Sequence, residues 1–267
     1  MNVWKMIRYL LLGLLVLVLF LVVYLFVGSA KQADDIVWGV NFSQTHATGL
    51  GLDWQETYTA LLDDLKAKRL KVSIDWDNVN PEQGQFQFDD VDWQVVQADK
   101  RGAKLLLVAG MKTPRWPECH IPEWARGLGK EAQQEEILSL LEHLVLRYKG
   151  SPAVWGWQIE NEPLFPFGKC PWIDKNFLNK EVQLVKSLDA SHPVVISDSG
   201  ELSFWIEAAK TGDIVSTTMY RKVWFHEIKR YIEYPLPPVV YARKAKYINA
   251  FFGKEVIVGE LQAEPWG

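Results

Sequence analysis

The sequence predicts an α/β fold: a (β/α)8 TIM barrel whose eighth βα unit is missing, behind an N-terminal transmembrane helix. Three observations carry this. Strand-like apolar runs alternate with amphipathic helical stretches across seven repeats between Ile36 and Gly259, a rhythm that implies parallel strands joined by right-handed crossovers. Polar and acidic residues stand at the ends of strands two, four, five, six and seven, where a barrel gathers its site. No Gly-rich phosphate loop follows the first strand, which argues against the alternative of an open doubly wound sheet.

Taking the elements in order, residues 10–27 form an apolar run of 18 residues without a charge, long enough to span a bilayer. Lys5 and Arg8 precede it and Asp34 and Asp35 follow, so the positive-inside rule puts the N-terminus in the cytoplasm. Residues 1–30 then read as a cytoplasmic stub and single-pass anchor, and residues 31–267 as one extracytoplasmic domain. The alternative is a signal peptide cut near Gly28, Ser29 and Ala30, after which the domain is secreted.

Within the domain, Ile36–Phe42 is the first strand, and Asp53 with Glu56 makes a capping box for a helix running to Lys68. Residues 70–76 alternate apolar and polar, a strand with one polar face. A loop with a Pro81 and Gly84 turn leads to a helix over Val91–Lys100, stopped at Arg101 and Gly102. Lys104–Ala109 is nearly all apolar, as a parallel strand covered on both faces should be. Three prolines break the following loop, and an amphipathic helix over Glu131–Tyr148 leads to the fourth strand, Val154–Ile159. The alternation continues with helix Asn176–Leu188, strand Val194–Ser197, helix Leu202–Lys210, strand Ile214–Met219, helix Val239–Phe252 and strand Val256–Gly259.

The chemistry centres on the end of the fourth strand, where Glu160, Asn161, Glu162 and Pro163 follow Trp155, Trp157 and Ile159. A carboxyl beside Trp rings is poorly solvated, which raises its pKa toward neutrality and lets it donate a proton at pH 7. Glu260, just past the last strand, supplies a second carboxylate at an equivalent position. Two such acids are the minimum apparatus for cleaving a glycosidic bond. Glu264 is a rival to Glu260, farther from the strand tip.

These residues resemble a known family, the retaining glycoside hydrolases of clan A, of the cellulase-like family-five type. The resemblance covers residues 36–267 and rests on the Asn161, Glu162, Pro163 triplet and on Glu260. It implies that Glu162 is the acid/base and Glu260 the nucleophile. It also implies that Asn161 contacts the sugar 2-hydroxyl and that Tyr220, ending the sixth strand, hydrogen-bonds the nucleophile. Lys71 stands where the family commonly has Arg, keeping the charge but losing the bidentate fork; it supports the nucleophile, or else pairs with Asp75. Thr218 stands where members often have His. The sequence ends at Gly267, before the eighth strand and its Trp, so it reads as a fragment, or as a barrel that has lost the unit.

Further candidates are weaker. Asp198 either touches substrate or caps the next helix, while Trp116, Trp172 and Trp266 lie in loops where an indole face can stack on a sugar. Lys112 and Arg115 either face an acidic sugar or bind loop carbonyls, and Glu160 is structural. Cys119 and Cys170 either bridge the rim or are two separate thiols. His46 and His120 lack metal-site spacing, so no metal or other cofactor is expected. A net charge of −4 without a basic cluster excludes nucleic acid as a partner. The expectation is thus a monomeric, membrane-anchored enzyme that hydrolyses O-glycosidic, β-linked bonds of an oligo- or polysaccharide by double displacement. A non-catalytic carbohydrate-binding barrel and an envelope transglycosylase are the alternatives.

Overall fold

A computed structural model describes residues 3–225 and 228–262. Helix α1 (Val3–Phe26) comes first, with no residue buried, and is apolar enough to cross a membrane. Then come β1 (Val40–Phe42), α2 (Gln44–Gly49), α3 (Trp54–Asp63), β2 (Arg69–Ser73), α4 (Trp76–Val79), α5 (Asp89–Lys100) and β3 (Lys104–Ala109). The second half has α6 (Lys130–Tyr148), β4 (Val154–Ile159), α7 (Lys175–Leu188), β5 (Val194–Asp198), α8 (Ile206–Thr211), β6 (Ile214–Met219), β7 (Lys222–Phe225), β8 (Arg230–Glu233), α9 (Pro238–Phe252) and β9 (Glu255–Leu261).

Seven strands form one parallel sheet in the order β1-β2-β3-β4-β5-β6-β9, so every strand pairs with its sequence neighbour once the β7-β8 hairpin is set aside. The sheet curls. Leu106, Val195 and Ile214 pack together on its inner face with Trp155 and Ile257, while Leu105 and Leu107 point outward into the layer formed with Ile137, Leu140, Leu141 and Leu144 of α6. The curl brings the two end strands within side-chain reach: Asn41 of β1 donates from Nδ2 to the carbonyl of Gly259 in β9 at 3.0 Å. Among the described residues no backbone ladder joins β1 to β9.

Several elements differ from the sequence reading. β1 keeps only the last three of the seven predicted residues, because Ile36, Val37 and Trp38 precede the pairing with β2 and lie exposed. α3 is capped by Asp53, whose carboxylate accepts from the N–H groups of Gln55 and Glu56. It ends at Asp63 rather than Lys68, and Lys66 takes φ 55. α8 starts four residues later than predicted because Trp205 stands at φ 63. The β7-β8 hairpin occupies a stretch to which the sequence reading gave no element.

The turn out of β4 sets the site. Glu160 and Glu162 both have left-handed backbone, at φ 59 and 43. The bend is held by N–H donors: Glu160 to the Ala109 carbonyl at 2.9 Å, Asn161 to the Lys112 carbonyl at 2.7 Å, Glu162 to Ser197 Oγ at 2.7 Å. The buried Glu160 carboxylate accepts from the N–H of Met111 at 2.8 Å and from that of Lys112, locking the β3 loop to the β4 turn. Only glycine fits at position 110, where a Cβ would lie 2.5 Å from Glu160 Oε1 and φ is 137. Of the seven non-glycine residues with positive φ among those described, four (Arg115, Glu118, Glu160 and Glu162) lie in these two loops. Such strain, about 1–3 kcal/mol each, persists where the surroundings over-determine it and gathers at functional sites.

Candidate active site

Glu260 enters from β9 just after a bulge. Thr217 pairs with Val258 and Thr218 with Glu260, leaving Gly259 as the extra residue. A bulge re-aims the side chain beside it, and here it is possible because Gly259 has no Cβ, which would lie 2.0 Å from Ser216 Oγ. The Glu260 carboxylate meets the Lys71 ammonium of β2 at 2.9 Å and accepts from the Tyr220 hydroxyl just past β6. The side chains of Lys71 and Glu260 are 6% and 15% exposed, so this is a shielded ion pair. Burial pushes the Glu260 carboxyl up, but Lys71, Tyr220 and the charge of Arg115 together outweigh it and hold the group below its usual range. Burial in turn drives the Tyr220 phenol far above its ordinary value, aided by Glu260, so it remains a hydrogen-bond donor.

Tyr220 is fixed by a residue the sequence reading missed. Glu201, in the loop after β5, accepts from the Tyr220 N–H at 2.6 Å, the Tyr241 hydroxyl at 2.9 Å and the Thr218 hydroxyl at 2.9 Å. Thr218 thus ties the end of β6 to the neighbouring loop. Lys244 closes the network behind it, donating to the Gly200 carbonyl at 2.6 Å over the ring of Trp205. Nothing in the sequence marks Glu201, a lone acid in a short loop.

Glu162 titrates the other way. Burial, followed by the charge of Glu260, pushes its carboxyl up to about 8; Glu118 and Glu201 add to the rise and Lys112 opposes it. The two carboxyls are thus displaced in opposite directions, Glu162 up and Glu260 down. That is the division of labour between a proton donor and a nucleophile. Lys112 contributes charge from a fixed place, since its ammonium donates to the carbonyls of Glu162 at 3.1 Å and Phe165 at 2.9 Å. Of the two alternatives for Lys112, it takes the loop carbonyls.

The structure brings Lys71, Asn161, Glu162, Tyr220 and Glu260 to one side of the curled sheet. Lys71 does not pair with Asp75, whose carboxylate accepts instead from the hydroxyls of Thr45 and Thr113, each at 2.6 Å. Asp198 has its oxygens taken by the Ser199 N–H and the Ser203 hydroxyl, inside the loop that carries Glu201. Trp116 is 61% exposed and lies edge-on to Phe167, with Lys169 over its ring. Trp172 is half-buried: its indole N–H donates to Gln133 Oε1 at 2.8 Å and its ring meets Phe177 edge-to-face. Trp266 and Glu264 lie outside the described residues. Cys119 and Cys170 form a disulfide with Cα atoms 5.1 Å apart, bridging the β3 and β4 loops.

No family model matches the chain. In sequence it is similar to mannan endo-1,4-beta-mannosidase F of Aspergillus clavatus, 24% identical over 208 residues, which covers 65% of this chain and 48% of the relative. The chain spans about half the length of the curated relatives it matches first. In fold it is similar to an endo-beta-1,4-xylanase of glycoside hydrolase family 10 from Gloeophyllum trabeum. The TM-score is 0.61 at 16% identity, with 87% of this chain and 74% of that one covered. It is also similar to a family 5, subfamily 18 glycoside hydrolase from Streptomyces cattleya solved with GlcNAc. There the TM-score is 0.57 at 14% identity, covering 71% and 52%. The comparisons bear out the resemblance to the cellulase-like glycoside hydrolases of clan A.

Proposed function

We propose that the chain carries the active site of a retaining glycosidase acting on a β-linked polysaccharide, and that β-1,4-mannan, named in its sequence relatives, is the first substrate to test. One observation carries the reading: two converging glutamates with opposed titration, Glu162 pushed up to about 8 and Glu260 held low by Lys71 and Tyr220. Glu260 attacks the anomeric carbon while Glu162 protonates the departing oxygen. Glu162, now ionised, takes a proton from water, which attacks the same carbon and frees Glu260. The Lys71 ion pair keeps Glu260 ionised before attack and stabilises it again as it leaves.

In this reading α1 is a single-pass anchor with a cytoplasmic N-terminus, and the barrel domain of residues 31–267 works outside the membrane as a monomer. The Cys119–Cys170 bridge supports export, since such bridges persist in oxidising compartments. The test is reducing-sugar release from mannan by the full-length chain in detergent micelles, with Glu260→Ala and Glu162→Ala alongside. With a dinitrophenyl β-mannoside, whose leaving group needs no proton, azide is expected to yield an α-glycosyl azide with Glu260→Ala and a β-glycosyl azide with Glu162→Ala. Wild-type binding of mannan without turnover would favour a carbohydrate-binding barrel instead, and products longer than the substrate a transglycosylase.

A further inference from the structure

The β3 loop holds a carboxylate that the two-glutamate mechanism leaves without a task. Glu118 is 7% exposed, and its Oε2 accepts from Asn161 Nδ2 at 3.2 Å. Its other oxygen, Oε1, has no hydrogen-bond partner among the described residues and is not one of the polar atoms sealed inside the protein. The group makes no ion-pair contact with Lys112, whose ammonium donates to two carbonyls; burial raises the Glu118 carboxyl, and the Lys112 charge is the main influence opposing that rise. The charge of Glu118 is felt at Glu162, and that of Glu260 is felt at Glu118, while the Asn161 contact ties Glu118 to the β4 turn that carries Glu162.

Glu118 is also held with unusual care. Its N–H donates to the Arg115 carbonyl at 2.7 Å, its carbonyl accepts from the Thr113 N–H at 2.9 Å, and its φ is 71. The next residue is in the disulfide with Cys170. Gly168 passes so close that a Cβ there would lie 2.5 Å from Glu118 Cβ. A surface acid would need none of this; a group that must meet a ligand at a fixed angle does.

We propose that Glu118 is a third, substrate-binding carboxylate: Oε2 sets the orientation of the Asn161 amide, and Oε1 accepts a hydrogen bond from a ring hydroxyl of the sugar lying between Glu162 and Glu260. The inference rests on the glycosidase reading for the place of the sugar. Asn161 and Glu118 then read the hydroxyl pattern together, which makes Glu118 a determinant of which pyranose is accepted. A sugar hydroxyl bound to a charged acceptor contributes roughly ten- to hundredfold in kcat/KM.

The test uses full-length wild type, Glu118→Gln and Glu118→Ala with dinitrophenyl β-mannoside and its monodeoxy analogues. Wild-type turnover of the parent glycoside tests the glycosidase reading by itself. Given turnover, Glu118→Ala is expected to lose ten- to hundredfold in kcat/KM, with Glu118→Gln retaining part of it. One monodeoxy analogue that wild type handles poorly should be handled no worse by Glu118→Ala. The high-pH limb should move to lower pH in both variants, because the charge near Glu162 is gone, an effect that mere loop loosening would not produce. Unchanged kcat/KM and unchanged ranking of the analogues overturn the inference while leaving the glycosidase reading standing. If wild type turns over nothing, calorimetry with mannotetraose decides: at least tenfold weaker binding by Glu118→Gln upholds the binding role, whereas equal binding, or no binding by wild type, overturns it.

Discussion

Replacing Glu162 by Gln removes the carboxyl proposed as proton donor, yet it should make the fold more stable at neutral pH. The carboxyl titrates near 4.5 unperturbed and is pushed up to about 8 by burial and the field of Glu260. Between those values the unfolded chain has released the proton and the folded chain still holds it. Unfolding therefore releases a proton, and stability falls as pH rises through the window. Each unit of displacement is worth about 1.4 kcal/mol, so the penalty is about 3 kcal/mol at pH 7 and about 5 kcal/mol beyond pH 8, both ceilings for a partly exposed group. Gln keeps the shape and never ionises. Urea unfolding of the full-length chain in micelles, wild type against Glu162→Gln from pH 4 to 9, is the assay. The two curves should meet near pH 4 and diverge, with the variant more stable, until they run level above pH 8. Parallel curves across the range would refute both the displaced carboxyl and its assignment as the proton donor.

Other predictions follow from the same contacts. Lys71→Met strips Glu260 of its ammonium and leaves burial opposed only by Tyr220 and Arg115; the acid limb of the activity profile should move to higher pH, and unfolding should cost about 3–5 kcal/mol less, as for a broken buried pair. Turnover of mannan by Glu162→Gln should fall by about 10²–10⁴, while a dinitrophenyl glycoside, whose leaving group needs no proton, should lose far less in the glycosylation step. Replacing both Cys119 and Cys170 by Ser opens a loop of 51 residues and should lower stability by about 4 kcal/mol, read as a drop in the urea midpoint. Gly259→Ala should cost about 1–3 kcal/mol through collision with Ser216 Oγ, and adding Ser216→Ala should recover most of it.

What the sequence made legible was what rests on short-range pattern. The strands from Lys104–Ala109, Val154–Ile159 and Ile214–Met219 fall where predicted, because short runs rich in apolar and β-branched residues between helices have few other solutions. Glu260 was singled out from its strand-end position, and Lys71 and Tyr220 through the family resemblance; the sheet curl then places the three in contact. Glu118 and Glu201 stayed hidden, since their place depends on loops whose paths are fixed by Cys119–Cys170, Gly168 and Lys244 rather than by periodicity. An acid beside a cysteine in the loop after β3 was the one available hint for Glu118. The loop position of Trp172 says nothing of the Gln133 contact that fixes its indole N–H. The hairpin of β7 and β8 lacked the tight-turn signature on which a sequence-based assignment depends.

The central claim is that Glu260 attacks and Glu162 delivers the proton. A fluorinated mannosyl donor with a dinitrophenolate leaving group, incubated with the full-length chain and followed by peptide mass mapping, addresses it directly. The account predicts a single fluoroglycosyl adduct on the peptide bearing Glu260, formed also by Glu162→Gln and lost in Glu260→Gln. An adduct on another carboxylate, or inverted product with no adduct, would contradict it.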